Sequence, residues 1–299
     1  MPTMDDQPRI CDYEDSSYRT DFWEGQGREY EDLAERIALR RLLPPPSGRL
    51  IDIGGGFGRL SEFYDGYEQV IVLDYSRSLL RQAQARLGRG DKMVYVASSF
   101  YDMPFADNAI DVAMMVRVMH HVEHVPALLG EVARVLAGGG TYVLEFASKR
   151  HLKSILRYAL RRQAWSPFNP EPVEFVEMNF DFHPDWMRDH LREAMFHVKR
   201  TRTVSHFRLP LLKKAVPANL LAAADGLCQP TGAWWQLTPS VFVQCENDKG
   251  ADTSPATQLF RCPSCHDSDL LESAETLVCK GCGTAWPIED GIYNFKAEP

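Results

Sequence analysis

The sequence has no run approaching the roughly 20 apolar residues that a membrane-spanning helix needs. Its first ten residues, MPTMDDQPRI, are acidic and polar and lack the apolar centre of a secretory leader. Positive charge is in the minority: 33 Lys and Arg stand against 41 Asp and Glu, a formal charge of -8. That balance gives no global attraction to polyanions, so nucleic-acid contact would need a local basic patch, and a small or neutral substrate is the simpler expectation. With seven cysteines in 299 residues, a disulfide-built secreted scaffold is not expected. Internal repeats and low-complexity tracts are missing too. These absences predict a cytoplasmic chain with reduced thiols.

What remains is the composition of an ordinary globular protein, 44% hydrophobic and 25% charged, long enough for one α/β domain and a small appendage. Residues 1–47 read as a helical lead-in: an acidic, aromatic start (Tyr13, Tyr18, Phe22, Trp23), then Leu33, Ala34, Ile37, Ala38 and Leu42 at helical spacing, stopped by Pro44 to Pro46. From Gly48, short apolar runs alternate with helical segments: RLIDIGGGFG, QVIVLDYS, MVYVASSF, AIDVAMMV and GTYVLEFA. Five buried strands separated by helices predict a parallel sheet covered on both faces.

The rhythm breaks at about 148–197, which reads as an insertion or lid. It holds a cationic stretch (Lys149, Arg150, Lys153, Arg157, Arg161, Arg162), a proline-rich loop, and a helix begun by Pro184. Within it Leu152, Ile155, Leu156, Ala159 and Leu160 share one face and most cations the other, the pattern of an amphipathic surface helix with solvated charges, or of a surface for an anionic partner or lipid. HVKRTRTVSHF and LTPSVFVQC then return as strands that would close the sheet antiparallel. The main domain is thus expected at 48–246, a linker at 247–257, and a second small domain at 258–299.

Asp52-Ile53-Gly54-Gly55-Gly56-Phe57-Gly58 follows the first strand and precedes a helix, so its glycines can turn sharply and let the backbone approach a ligand. The spacing acid-x-Gly-x-Gly-x-Gly differs from that of a dinucleotide site. It resembles the first motif of class I S-adenosylmethionine-dependent methyltransferases, and the likeness runs over residues 48–150. The family resemblance implies a Rossmann-like fold and a cofactor site drawn from Asp52, Gly54, Gly55, Gly56 and Gly58. To these it adds Asp74, ending the second strand as the ribose acceptor, and Tyr75 beside the adenine. Ser99-Phe100-Tyr101-Asp102-Met103-Pro104-Phe105 resembles the third segment of the family; Ser99 stands where the family has an adenine-binding acid, with Asp102 nearby.

Arg117-Val118-Met119-His120-His121-Val122 is similar to the segment after the fourth strand in methyltransferases of the ubiquinone/menaquinone-biosynthesis type. This places Arg117 and His120 near the methyl donor and makes His120 the first candidate base and His121 the second, while His183 and Trp186 of the insertion are expected as substrate contacts. A metal held by His120, His121 and His124 is the weaker reading of that cluster. Arg28 can reach the methionine carboxylate of the donor or be a solvated helix charge.

Cys262-Pro-Ser-Cys265 and Cys279-Lys-Gly-Cys282 put two thiolates on each of two turns, thirteen residues apart, so four sulfurs can surround one Zn²⁺. A segment of 42 residues buries too little apolar surface to fold without such a staple, and a complete Cys₄ shell makes the zinc structural. Residues 259–295 resemble the small zinc-ribbon activator subunit that partners tRNA, rRNA and release-factor methyltransferases, which implies that the ribbon docks on the main domain. Three functions stay open. They are methylation of a small biosynthetic molecule, which is favoured, methylation of RNA or protein with the ribbon as built-in activator, and S-adenosylmethionine binding without catalysis.

Overall fold

Alternation of apolar side chains on successive strand residues decides the layers. Ile51, Ile53, Ile71 and Leu73 enter one buried cluster, while Leu50, Val70 and Val72 enter another on the opposite sheet face. The computed structural model describes residues 8–16, 26–250 and 256–296; Tyr18, Phe22 and Trp23 lie outside them.

Helix α1 (Glu29–Leu42) has acidic residues in its first turn and Arg40 and Arg41 in its last, matching the helix dipole, and buries Tyr30, Ala34, Ala38, Leu39 and Leu42. Strands β1 (Arg49–Ile53) and β2 (Gln69–Asp74) follow, then α2 (Arg77–Leu87), whose first turn is capped by Ser76 accepting from the Leu79 N–H. Next come β3 (Met93–Ala97), β4 (Ile110–Met115), α3 (Val125–Val135) and β5 (Leu136–Ala147). Strands β1 to β5 run parallel, and α1 and α2 cover one face while α3 covers the other.

The interruption expected at 148–197 contains α4 (Leu152–Ala159), the hairpin β6 (Val173–Val176) and β7 (Asn179–Asp181), and α5 (Pro184–Glu193). Only part of it covers the strand ends. Met187 and Leu191 of α5 are buried with α3 in the core, so this helix belongs to the layer over the sheet. In α4 the apolar face points outward: Ser154 is buried while Leu152, Leu156 and Leu160 are exposed. The expectation of an ordinary surface helix with solvated charges is therefore only half met.

Strand β8 (Phe196–Val204), helices α6 (Pro210–Ala215) and α7 (Ala218–Cys228), and β9 (Ser240–Asn247) complete the main body, with β9 antiparallel to both β5 and β8 as the sequence predicts. The C-terminal strands β10 (Leu270–Glu272), β11 (Thr276–Cys279), β12 (Ala285–Glu289) and β13 (Ile292–Asn294) form an antiparallel meander. It joins the main sheet. Strand β13 pairs parallel with β3, Ile292 against Tyr95 and Asn294 against Ala97, giving the order β10-β11-β12-β13-β3-β2-β1-β4-β5-β9-β8. The edge of β3, whose unpaired amides would invite other strands, is thereby covered. Phe260 stacks on Phe105, and the Arg261 N–H donates to the Pro104 carbonyl, so the Pro104-Phe105 pair serves as a landing point for the ribbon. Among the described residues no helix is long and apolar enough to cross a membrane.

Candidate functional site

Two adjoining cavities open at the carboxyl ends of β1, β2, β4 and β5, where open α/β sheets bind ligands. The first is lined by Gly54, Gly56, Asp74, Tyr75, Phe100 and Arg117, and closed by Cys11 and Tyr13 of the N-terminal segment. The second, about 240 Å³, is lined by Arg117, His120, Glu145, His151, Asp181 and Arg208 among others. Arg117 is the shared wall.

The glycine turn is shaped by its surroundings. Gly54 has φ +70, and a Cβ there would stand 2.3 Å from Val118; its N–H and that of Gly55 both donate to the Leu73 carbonyl, tying the turn to the end of β2. Gly56, also at positive φ, donates its N–H to Asp74 Oδ2 at 2.9 Å, and a Cβ there would meet nothing closer than 3.8 Å. Gly58 serves packing, since a Cβ would press on Leu87 of α2. Asp52 does not line the cavity: it is buried and accepts the Tyr64 hydroxyl at 2.6 Å, and burial raises its carboxyl to about 7.

Asp74 is half-buried, with Oδ1 accepting from Ser76 and Oδ2 from Gly56. Those backbone amides favour the carboxylate, but burial outweighs them and lifts its pKa to about 6. Each oxygen keeps acceptor capacity toward the cavity, as gripping a vicinal diol requires. Tyr75 and Phe100 supply flat apolar walls. Ser99 turns away: its Oγ accepts from the Tyr101 N–H in a local turn, and Ser98 takes its place in the lining. Asp102 feels Glu131, Arg261 and His266, which puts it toward the ribbon and not among the cavity residues.

Arg117 adopts φ +65, a left-handed conformation that costs a residue with a side chain and is held here from both ends. Its N–H donates to Glu145 Oε2 at 3.0 Å, and its Nε to buried Glu35 Oε1 at 2.7 Å. Glu35 also holds Arg59, so a charged chain links α1 to the strand ends. Arg28 sits elsewhere. It lines a larger cavity of about 430 Å³ with Tyr30, Lys213 and Arg208, which holds none of the glycine turn; its charge still reaches His120.

The two neighbouring histidines have separate tasks. His121 lines the first cavity, its Nδ1 2.7 Å from the Met178 carbonyl and its Nε2 3.0 Å from the Tyr13 hydroxyl. A carbonyl only accepts, so Nδ1 carries the proton and Nε2 accepts from Tyr13. His120 lines the second cavity, and burial aided by His121 and Arg117 holds it neutral, well below the usual imidazole range. His183 caps α5 by accepting from the Asp185 N–H, and Trp186 stacks on His190 at 3.8 Å; neither lines the cavity.

Sequence reasoning missed Glu145, Ser148, His151, Asp181 and Arg208, which come from three separate stretches of the chain, 145–151, the end of β7 and the loop after β8. Buried Glu145 accepts from Ser240 Oγ at 2.7 Å, and Asp181 is raised to about 6 by burial, with Glu145 adding to the rise and Lys149 opposing it. The Ser148 Oγ is buried with no hydrogen-bond partner. The pattern of acidic, basic and hydroxyl groups suits an acceptor with polar substituents.

In the ribbon, Cys262, Cys265, Cys279 and Cys282 converge with all four sulfurs within 4.8 Å of one another. The Cys262–Cys282 and Cys265–Cys279 sulfur separations are 3.7 and 3.4 Å. Tetrahedral Zn–S bonds imply sulfurs about 3.8 Å apart. Among the described residues this is the only group of three or more His, Cys, Asp or Glu placed to share a metal, and the His120-His121-His124 cluster is not one.

Residues 51–144 match the profile of the methyltransferase domain family. The chain carries a methyltransferase domain. Curated relatives agree: a demethylmenaquinone methyltransferase of Clavibacter sepedonicus is 29% identical over 200 residues, 63% of this chain and 82% of that protein. The ubiquinone/menaquinone biosynthesis C-methyltransferase UbiE of Roseobacter denitrificans is 33% identical over 118 residues, 37% of this chain and 47% of its own. For an uncharacterized chloroplastic methyltransferase of Arabidopsis thaliana, 29% identical over 128 residues, the match spans only 35% of the relative. Among solved structures, a chain of the Haloferax volcanii complex containing the Trm112 methyltransferase activator superposes with TM-score 0.55 at 16% identity, covering 78% of this chain and 97% of that one. The methyltransferase domain thus has the Rossmann-like fold of its class, continued on the β3 side by the ribbon strands.

Proposed function

We propose that the chain transfers a methyl group from S-adenosylmethionine to a small biosynthetic acceptor. The observation that carries the reading is the half-buried Asp74 carboxylate, fixed by the Gly56 and Ser76 amides beside Tyr75 and Phe100, one residue's width from a polar cavity. The residues fit the cofactor: the positive-φ Gly54 and Gly56 form a cradle without side chains, and Asp74 has acceptors for the sugar diol.

Bound there, the sulfonium supplies an electrophilic methyl, so the protein's task is to align the acceptor, exclude water and take up any proton released. Asp181 suits the last role: raised to about 6, it is ionised at neutral pH yet basic enough to accept a proton. Neutral His120 offers a lone pair to orient the acceptor, whereas His121, with both nitrogens engaged, pins Tyr13 over the cofactor cavity. Glu145 fixes the Arg117 backbone between the two cavities.

The four cysteines fit one structural zinc, which their thiolates would hold with no position left for substrate. A second reading, methylation of RNA or protein with the ribbon as resident activator, draws on the strand pairing of β13 with β3 and on the solved complex with an activator. Titration calorimetry with S-adenosylmethionine and its demethylated product tests the cofactor; Asp74→Ala should abolish the heat. Incubation with labelled donor and separate metabolite, RNA and protein extracts tests the acceptor, and label confined to RNA or protein would displace the small-molecule reading.

A further inference from the structure

We infer that α4, the 234–237 segment and α6 form a docking face for an anionic phospholipid surface, with the second cavity opening on the same side. This goes beyond methyl transfer and stands or falls without it.

The main observation is the inverted helix. Leu152, Leu156 and Leu160 repeat every four residues along α4 and its C-terminal end, yet are 56%, 53% and 63% exposed, while the residue turned inward is Ser154. A helix that folds with its leucines in water has left them for something other than its own core. Beside it, the Leu152 N–H donates to the Leu237 carbonyl at 2.9 Å, which sets the first turn of α4 against the segment carrying Trp234 and Trp235, 77% and 62% exposed. Tryptophan suits the boundary between water and hydrocarbon, and Leu211 of α6 adds a further exposed side chain.

Charge selects the occupant. Residues 148–164 contain six Lys and Arg and no Asp or Glu, inside a chain of formal charge -8. No ion pair among the described residues engages Lys153, Arg157, Arg161 or Arg162, whereas exposed Arg9, Arg40, Arg188 and Arg192 each have a carboxylate partner. Arg208 and the charges of Lys153 and Arg157 all bear on His151, which lines the second cavity with Phe175 and Arg208. Exposed leucine and tryptophan beside unpaired cations match a membrane interface with anionic headgroups. Another copy of this chain joined through the same face would cover the leucines but set the cations of α4 against one another.

Sedimentation with phosphatidylcholine vesicles, with and without phosphatidylglycerol, tests this on the full chain. Binding should require phosphatidylglycerol and weaken with salt, and each basic side chain should contribute roughly fivefold. Lys153→Glu with Arg157→Glu, and separately Leu156→Glu with Leu160→Glu, should each lower binding at least about tenfold; unchanged thermal midpoints would show that these variants fold. Trp fluorescence should shift to the blue on the mixed vesicles, and less so in Trp234→Ala with Trp235→Ala. Absence of binding, equal binding to neutral vesicles, variants that bind like the parent, or a concentration-dependent dimer abolished by the leucine changes would each overturn the proposal.

Discussion

The Lys296 ammonium lies 3.9 Å from the centroid of the Tyr75 ring and 3.5 Å from Asp12 Oδ2. One cation from the end of the ribbon thus touches Tyr75, a wall of the first cavity, and the N-terminal segment that closes that cavity. Two further contacts tie the ribbon to α2: Arg77 pairs with Glu289 at 2.7 Å, and Gln84 Nε2 donates to the Asp290 carbonyl at 2.9 Å. The ribbon is therefore mechanically continuous with β2 and α2, the elements on either side of Asp74.

Removing that cation should loosen the site without unfolding it. A cation over an aromatic face contributes about 0.5–1 kcal/mol when solvent reaches it, so Lys296→Ala is expected to weaken cofactor binding by a few-fold, with little change in thermal midpoint. Calorimetric titration of the two proteins side by side checks this; identical affinities would mean the ribbon's tip has no part in the site.

Cofactor affinity should fall as pH drops through about 6. Asp74 has its pKa raised to about 6 in the folded protein, so the carboxylate proposed to grip the sugar diol is fully formed above that value and is lost to protonation below it. Asp74→Asn should bind weakly at every pH and show no such inflection. Affinities measured between pH 5 and 8 decide the matter.

Asp52 should make folding pH-dependent in the opposite sense from a salt-bridged acid. Its folded pKa of about 7 lies above the usual 3.8, so the folded state holds its proton more tightly and stability declines as pH rises from about 4 through 7. Asp52→Asn, which keeps an acceptor for Tyr64, is expected to lose that decline and gain about 2 kcal/mol relative to the parent at pH 8 compared with pH 5. Denaturant midpoints at the two pH values give the comparison.

Cys279→Ser, or removal of metal by a strong chelator, should release zinc and free β13 from β3. Hydrogen exchange would then speed up at the β3 amides and at residues 258–296, and the bared edge would promote association. Unchanged metal content in the variant would show that the ligands are misassigned.

If Asp181 takes up the proton, Asp181→Asn should lower turnover by about a hundredfold and erase an acidic limb near pH 6, leaving cofactor affinity intact. A pH–rate profile that keeps its limb would move the role to another group, or show that the acceptor releases no proton.

The strands, their parallel order and the glycine turn were legible because they are local: apolar runs of strand length, Gly54 to Gly58 at a strand end, and an acid at the end of the next strand are all adjacent in the chain. The two cysteine pairs were legible for the same reason. Ser99 and Asp102 were less legible, since the same short segment offers several polar side chains and the Ser99 hydroxyl is engaged by the Tyr101 N–H.

Sequence alone determined that the apolar runs from Gly48 onward would build a parallel sheet covered on both faces and that four thiols would gather near the C-terminus, because periodicity and spacing act over a few residues. Only tertiary structure decided that β13 would complete the edge of β3, and that Glu145, His151, Asp181 and Arg208 would surround one cavity. It also turned the leucines of α4 outward. Those outcomes depend on which distant surfaces pack together, and a helix's apolar stripe does not state whether it faces a core or the outside.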